Sequence, residues 1–231
     1  MTRFAVLLAV MPLIAAAQTT TTTRRPYVRA HGEATISVRP DEAKVNVAVV
    51  TEAPSAQGAA DDNANKTSSV FTALRSVLGQ QAQIETVSYS VQPRYVYPRD
   101  GGQPTLVGYM AQSVTEVTLN NLGIVGRVID TAVQAGANRV DSLRFMLHDD
   151  EPVRLQALTE AGKKARARAQ AIATGVGARL GAILSAEEGT VYRVPVVADA
   201  RVGAGATAVA TPVEPGQLEV RASITIEYEL L

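Results

Sequence analysis

The sequence contains no cysteine and no tryptophan. The first absence removes disulfides, thiol nucleophiles and cysteine metal ligands, and with them the lipidated cysteine that tethers a lipoprotein. The second, with an aromatic content of 4%, leaves an aliphatic core and argues against the aromatic platforms on which sugars stack. Histidine occurs only as His31 and His148. A transition-metal site needs several N, O or S ligands converging on one point, so no metal site is expected. No G-x-S-x-G elbow and no P-loop is present. The glycine-rich run GVGARLG at 175–181 follows a helix and precedes a strand, the reverse of a phosphate loop. No catalytic residue and no cofactor is expected, and a non-enzymatic protein follows. A hydrolase would have to use His31 or His148.

Charge of one sign is also missing. Lys and Arg total 22, Asp and Glu total 22, and nucleic acid is therefore not the expected partner. The chain has 231 residues and one conspicuous apolar run, residues 4–14, which is too short to span a bilayer. That run follows Met-Thr-Arg and precedes Ala15-Ala16-Ala17. The pattern is that of a signal peptide over residues 1–17, cleaved after Ala17, and predicts export to the periplasm. Removing Arg3 from the 22 basic residues leaves 21 against 22 acids, a formal charge of −1. Residues 18–26, with their threonine run, read as a disordered polar tether. About 210 residues remain, enough for one sizeable core or two small ones.

The longest helix is expected over residues 149–177, DDEPVRLQALTEAGKKARARAQAIATGVG. Leu155, Leu158, Gly162, Ala165, Ala169, Ile172 and Val176 recur at alternating spacings of three and four, which places them on one helical stripe. The stripe is small in its middle, so a neighbouring backbone could approach closely there. Lys163 and Lys164 project away from it, and Arg166 and Arg168 flank it. This basic cluster lacks interleaved aromatics and reads as a solvated face. Asp149, Asp150 and Glu151 suit the positive end of the helix dipole, Pro152 suits the first turn, and Gly175 and Gly177 are stop signals.

Elsewhere the period is mostly two. Ile36 and Val38, then Ala43, Val45, Val47 and Val49, mark early strands. A helix capped by Ser55 runs to Leu78 with Val70, Phe71, Leu74, Val77 and Leu78 inward and Asp61, Asp62, Asn63 and Asn65 in water. The adjacent acids Asp61 and Asp62 do not face one another on a helix and form no catalytic pair. Residues 84–96 and 107–119 flank the turn signal PRDGGQP and form a long hairpin carrying Tyr95, Tyr97 and Tyr109 near its tip. Asn120 and Asn121 cap a helix over 122–135, followed by strands near 140–147 and 181–191. Residues 193–216 lack periodicity and read as a mobile loop. Leu218, Val220, Ala222, Ile224, Ile226, Tyr228 and Leu230 alternate with polar residues in a final strand, one face buried and one wet. The fold class is α+β: a mainly antiparallel sheet with hairpins, and about three helices packed on one face.

The ordered set HGEATISVRPDEAKVNVAVVTEA, IETVSYSVQPRYVYP, GYMAQSVTEVTL, LGIVGRVIDTAVQAGANRV, ALTEAGKKARARAQAIATGVGARLG and VEPGQLEVRASITIEYEL resembles the SIMPL-domain family. The resemblance covers nearly all of residues 27–231. It implies a periplasmic or envelope location, an α+β fold, an association with oxidative-stress defence, and ring-like self-assembly in some members. It carries over no catalytic residues. A chain with no cysteine and four methionines, two of them in the leader, is poorly suited to scavenge oxidants itself. The expected assembly surfaces are the hairpin tyrosines Tyr95, Tyr97 and Tyr109 and the helix seam at Gly162, Ala165 and Ala169. The alternative is a periplasmic module that binds a small molecule or an envelope protein through the hairpin tyrosines.

Overall fold

The computed structural model describes residues 25–80, 82–99, 101–189, 192–196 and 213–231. The leader and most of the tether therefore lie outside the described residues. The elements run β1 (Tyr27–Val38), β2 (Glu42–Ala53), α1 (Ala56–Leu78), β3 (Ile84–Val96), β4 (Thr105–Leu119), a 3-10 turn (Leu122–Ile124), α2 (Val125–Gln134), β5 (Arg139–Met146), α3 (Glu151–Gly175), β6 (Leu180–Glu188), β7 (Tyr192–Val196) and β8 (Gln217–Leu230).

The class is α+β, as the period-two and period-3.6 patterns require, but the strands divide between two antiparallel sheets. One has the order β1-β8-β6, with β7 also pairing β8, and the other has the order β3-β4-β2-β5. β1 and β8 pair along their whole lengths, from Tyr27 opposite Glu229 to Val38 opposite Leu218. The residues Arg39, Pro40 and Asp41 then pass the chain to the second sheet, where β2 lies between β4 and β5.

Each sheet carries its own helices. α1 and α2 cover the β4-β2 sheet. Their core joins Val45, Val47, Val49, Val70, Leu74, Val117, Val125 and Val128, all essentially without solvent exposure. Each such side chain contributes about 1.5–3 kcal/mol relative to an exposed one. Ser55 caps α1 as its spacing predicts, its Oγ accepting the Gly58 N–H at 3.1 Å. Gly79 ends α1 at a φ of 87°, a conformation that costs glycine little. Asn63 does not face water as its polarity suggested. It is buried, and its Nδ2 donates to the Val49 carbonyl at 2.8 Å and the Ala111 carbonyl at 3.2 Å. A buried amide is tolerable because both donors are satisfied.

α3 packs on β1 and β8. Its buried row is Ala157, Ala161, Ala165, Ala169 and Ala173, each fully buried. The expected mixed-spacing stripe is thus replaced by a strict i+4 row. Such rows are inclined to the helix axis, so α3 meets the strands along an oblique line. Leu155, Ile172 and Val176 are exposed, and a Cβ at Gly162 would meet nothing within 4 Å. The matching row on β1 is also small: Val28, Ala30, Gly32 and Ala34 alternate with exposed Arg29, His31, Glu33 and Thr35. At Gly32 the two backbones nearly touch. A Cβ there would lie 2.0 Å from the Ala161 carbonyl oxygen and 2.6 Å from the Ala165 nitrogen.

The last difference is at 193–216. β7 extends into this stretch and pairs with the start of β8, Val196 opposite Gln217. Residues 197–212 lie outside the described residues.

These contacts generate opposite expectations for two glycines. Gly32→Ala has to displace helix backbone rather than a flexible side chain, and overpacking of this kind costs about 1–3 kcal/mol. Gly162→Ala removes a glycine from an open helix interior and gains about 0.5–1 kcal/mol. Urea unfolding of both variants measures the difference. A neutral Gly32→Ala contradicts the close approach.

Candidate functional site

The two groups of residues singled out in the sequence sit in different sheets. The hairpin group belongs to β3 and β4. β2 pairs β4 only as far as Tyr109, opposite Ala53, so Thr105 to Gly108 have no partner in β2. They pair only with the end of β3, for example Leu106 with Tyr95. The ribbon therefore overhangs its sheet by four residues, about 13 Å at 3.3 Å per residue. Its apolar side chains are in water: Tyr95, Val96, Leu106 and Val107 are about half exposed, and Tyr97, just past β3, is 73% exposed. Tyr109 is half-buried at the root of the overhang, opposite Pro93. An ion pair between Arg94 and Glu52 braces the same root.

The helix group separates. Ala165 and Ala169 are covered by β1 and β8, in a cluster with Val28, Ala30, Ile226 and Tyr228. They hold the chain to itself. Gly162 lies outside the buried row, with open space before it. The residue missed in the sequence is Gly32. Its signal was present: a glycine among small residues at the buried phase of a strand, in a chain that also has a helix with alanine at every fourth position.

The two histidines are far apart in role. His31 lies on the wet face of β1, its Nδ1 3.3 Å from the Thr225 hydroxyl, while its carbonyl accepts a hydrogen bond from Arg168 at 2.7 Å. His148 lies in the short link between β5 and α3. Its Nδ1 is 2.9 Å from Oε2 of the buried Glu42, and its backbone N–H donates to Asp41 at 2.7 Å. The Asp41 N–H in turn donates to the Met146 carbonyl at 3.2 Å. The chain crossing from the first sheet is thereby fastened to the lead-in of α3. In these contacts the Thr225 hydroxyl stands beside His31, on the exposed face of β1, and no hydroxyl stands beside His148. Among the described residues no group of three or more His, Asp or Glu side chains is placed to hold a metal ion.

Clefts flank the helices. One of about 330 Å³ lies between α1 and the β3-β4 pair, with Asn63, Thr67, Ser113, Phe71 and Tyr89 among its walls. Thr67 and Ser113 share a 2.7 Å hydrogen bond there. Another of about 560 Å³ runs along α2, with Arg127 and Asp130 in its lining. A third, of about 320 Å³, lies between α3 and β6.

Hydrogen bonding to Glu42, with the charges of Glu42, Asp41 and Asp149, raises the His148 pKa above its usual value near 6.5. A raised folded-state pKa stabilises the fold fully below the unfolded value and loses that stabilisation as pH rises through the folded one. The stability difference between wild type and His148→Gln is therefore largest near about pH 6 and fades at alkaline pH. Thermal unfolding of both proteins across this range tests it. A difference that grows with pH contradicts the Glu42 contact.

The 26 kDa periplasmic immunogenic protein of Brucella melitensis biotype 1 is 26% identical over 218 residues, covering 90% of this chain and 86% of that protein. The uncharacterized protein YggE of Edwardsiella ictaluri is 26% identical over 181 residues, 78% of this chain and 75% of that protein. YggE of Escherichia coli K12 is 29% identical over 164 residues, 69% of this chain and 64% of that protein. The matched residues of a protein-family model, 28–228, reach from the second residue of β1 to the antepenultimate residue of β8 and so span both sheets. The chain belongs to that family, SIMPL, described as a protein of unknown function (DUF541).

Proposed function

We propose that this chain is an exported periplasmic or envelope protein that performs no chemistry of its own and works as a homo-oligomer in stress defence. The observation that carries the reading is the overhanging hairpin. A two-stranded ribbon alone is marginally stable in water, and an exposed apolar ribbon is a surface that a partner stabilises. Val96, Tyr97, Leu106 and Val107 supply such a surface, and β3 is an edge strand whose outer side is unpaired in its sheet. Tyr95 and Tyr109 extend the patch toward the body. Open Gly162 marks a second, smaller contact on α3, while Ala165 and Ala169 act inside the subunit. A second copy of this chain is the favoured occupant, because the hairpin carries few charges with which to select a different partner.

Two further observations support the location. Residues 1–17 have the order of a cleavable leader, and two Brucella relatives are named as periplasmic proteins. The stress-defence role rests on the family resemblance. The absence of thiols favours an indirect role over consumption of oxidants.

Size exclusion with light scattering on the chain from Gln18 onward tests the reading. Wild type is expected as one closed multi-subunit species. The double variant Tyr97→Ser, Leu106→Ser is expected at single-chain or much reduced mass, with a melting temperature within a few degrees of wild type, since exposed substitutions usually change stability by less than about 0.5 kcal/mol. A single-chain mass for wild type overturns the assembly reading and leaves a monomeric binding module as its replacement.

A further inference from the structure

The cleft between α3 and β6 differs from the others in its charge. The α2 cleft sets Arg127 against Asp130, and the α1 cleft has no charged side chain in its lining. The α3-β6 cleft is lined by Arg166, Gln170, Leu180, Gly181, Ile183 and Tyr228, one cation and no carboxylate. Arg166 makes no hydrogen bond or ion pair with any described residue, unlike Arg154, Arg168 and Lys163 on the same helix. Arg166 and Gln170 are one turn apart on the same side of α3, next to buried Ala165 and Ala169, and share the cleft with β6.

The opposite wall exists because β6 is irregular. Leu180 pairs with Leu230 and Ile183 with Tyr228, so Gly181 and Ala182 together oppose Glu229 alone. A second shift follows at once, between Ile183 and Ser185. Two successive bulges bend and twist an edge strand, and they leave residues out of the ladder. Ile183 stays on the helix side of the sheet, opposite buried Tyr228, yet is 60% exposed. The cleft thus sets an apolar wall of Leu180 and Ile183 across from a guanidinium that pairs with no described residue.

We propose that the α3-β6 cleft binds a single-chain anionic amphiphile, a carboxylate with an aliphatic tail of about eight carbons. Arg166 holds the carboxylate through its planar fork, with the Gln170 amide beside it. The tail lies along Leu180, Ile183 and the edge of the Tyr228 floor. A volume of about 320 Å³ is at the lower end of small-ligand sites and suits a chain of this length. The inference does not rest on the hairpin assembly surface, which lies in the other sheet; the smaller contact at Gly162 is one turn from Arg166 on α3, so the assembly mass is followed alongside binding.

Isothermal titration of the protein from Gln18 onward with octanoate, 1-octanol and acetate tests it, with the assembly mass followed in parallel. Octanoate is expected to bind tightest. Acetate lacks the tail, and each buried methylene is worth about a fourfold gain, so acetate is expected to show no saturable heat. Arg166→Gln is expected to weaken octanoate about fivefold and to leave 1-octanol unchanged, while Lys163→Gln, on the outer face, changes neither. Ile183→Ser weakens both octyl ligands. Arg166 and Ile183 are exposed, so their variants fold, and an unchanged melting curve and mass confirm that. Three results overturn the proposal: equal binding of acetate and octanoate, equal binding of octanoate by Arg166→Gln and wild type, or no saturable octanoate binding at all.

Discussion

The contact on which the first sheet depends is the approach of α3 to β1 at Gly32. An alanine row on a helix buries little apolar area per residue, so its stabilisation has to come from close, dense packing rather than from large side chains. That packing is available only if the strand beneath is equally small. Gly32, between Ala30 and Ala34, meets the condition, and Ala161 and Ala165 sit directly on it. β1 and β8 pair over twelve positions from opposite ends of the chain. The helix that lies across both therefore fastens the two ends of the domain.

This arrangement fixes where functional surface remains. α3 packs mainly on β1 and β8, and a cleft lined in part by Arg166 remains between it and the bulged β6. The other sheet is filled by valines and leucines from α1 and α2, and its long hairpin runs past the end of β2 into water. Outside the packed cores, one sheet thus carries a cleft lined by a cation and the other an apolar ribbon, besides the clefts along α1 and α2. Neither holds a metal-binding cluster among the described residues.

Much of this was legible in the sequence, and the failures have physical reasons. β8 and the β3-β4 hairpin alternate cleanly because one face of each is wet, and Ser55 caps α1 as its chemistry dictates. The contact face of α3 departs from its amphipathic pattern, because such a pattern weights leucine and isoleucine, whereas here Leu155 and Ile172 are exposed and the seat is alanine. Asn63 was placed in water because a lone amide carries no mark of the two carbonyls that await it. The split into two sheets was invisible because β1 pairs with a strand almost two hundred residues away, and local periodicity does not encode that partner. The place of the tyrosines on the hairpin follows from the alternation, but the overhang depends on where β2 stops pairing, which only the register gives.

The central claim is that α3, β1 and β8 form one close-packed unit seated on Gly32. Native-state hydrogen exchange on α3 tests it most directly. If the claim holds, the amides from Ala161 to Ala173 exchange only with the same opening free energy as the paired amides of β1 and β8. If α3 instead exchanges well before those strands, as a loosely held surface helix does, the close-packed seat is contradicted.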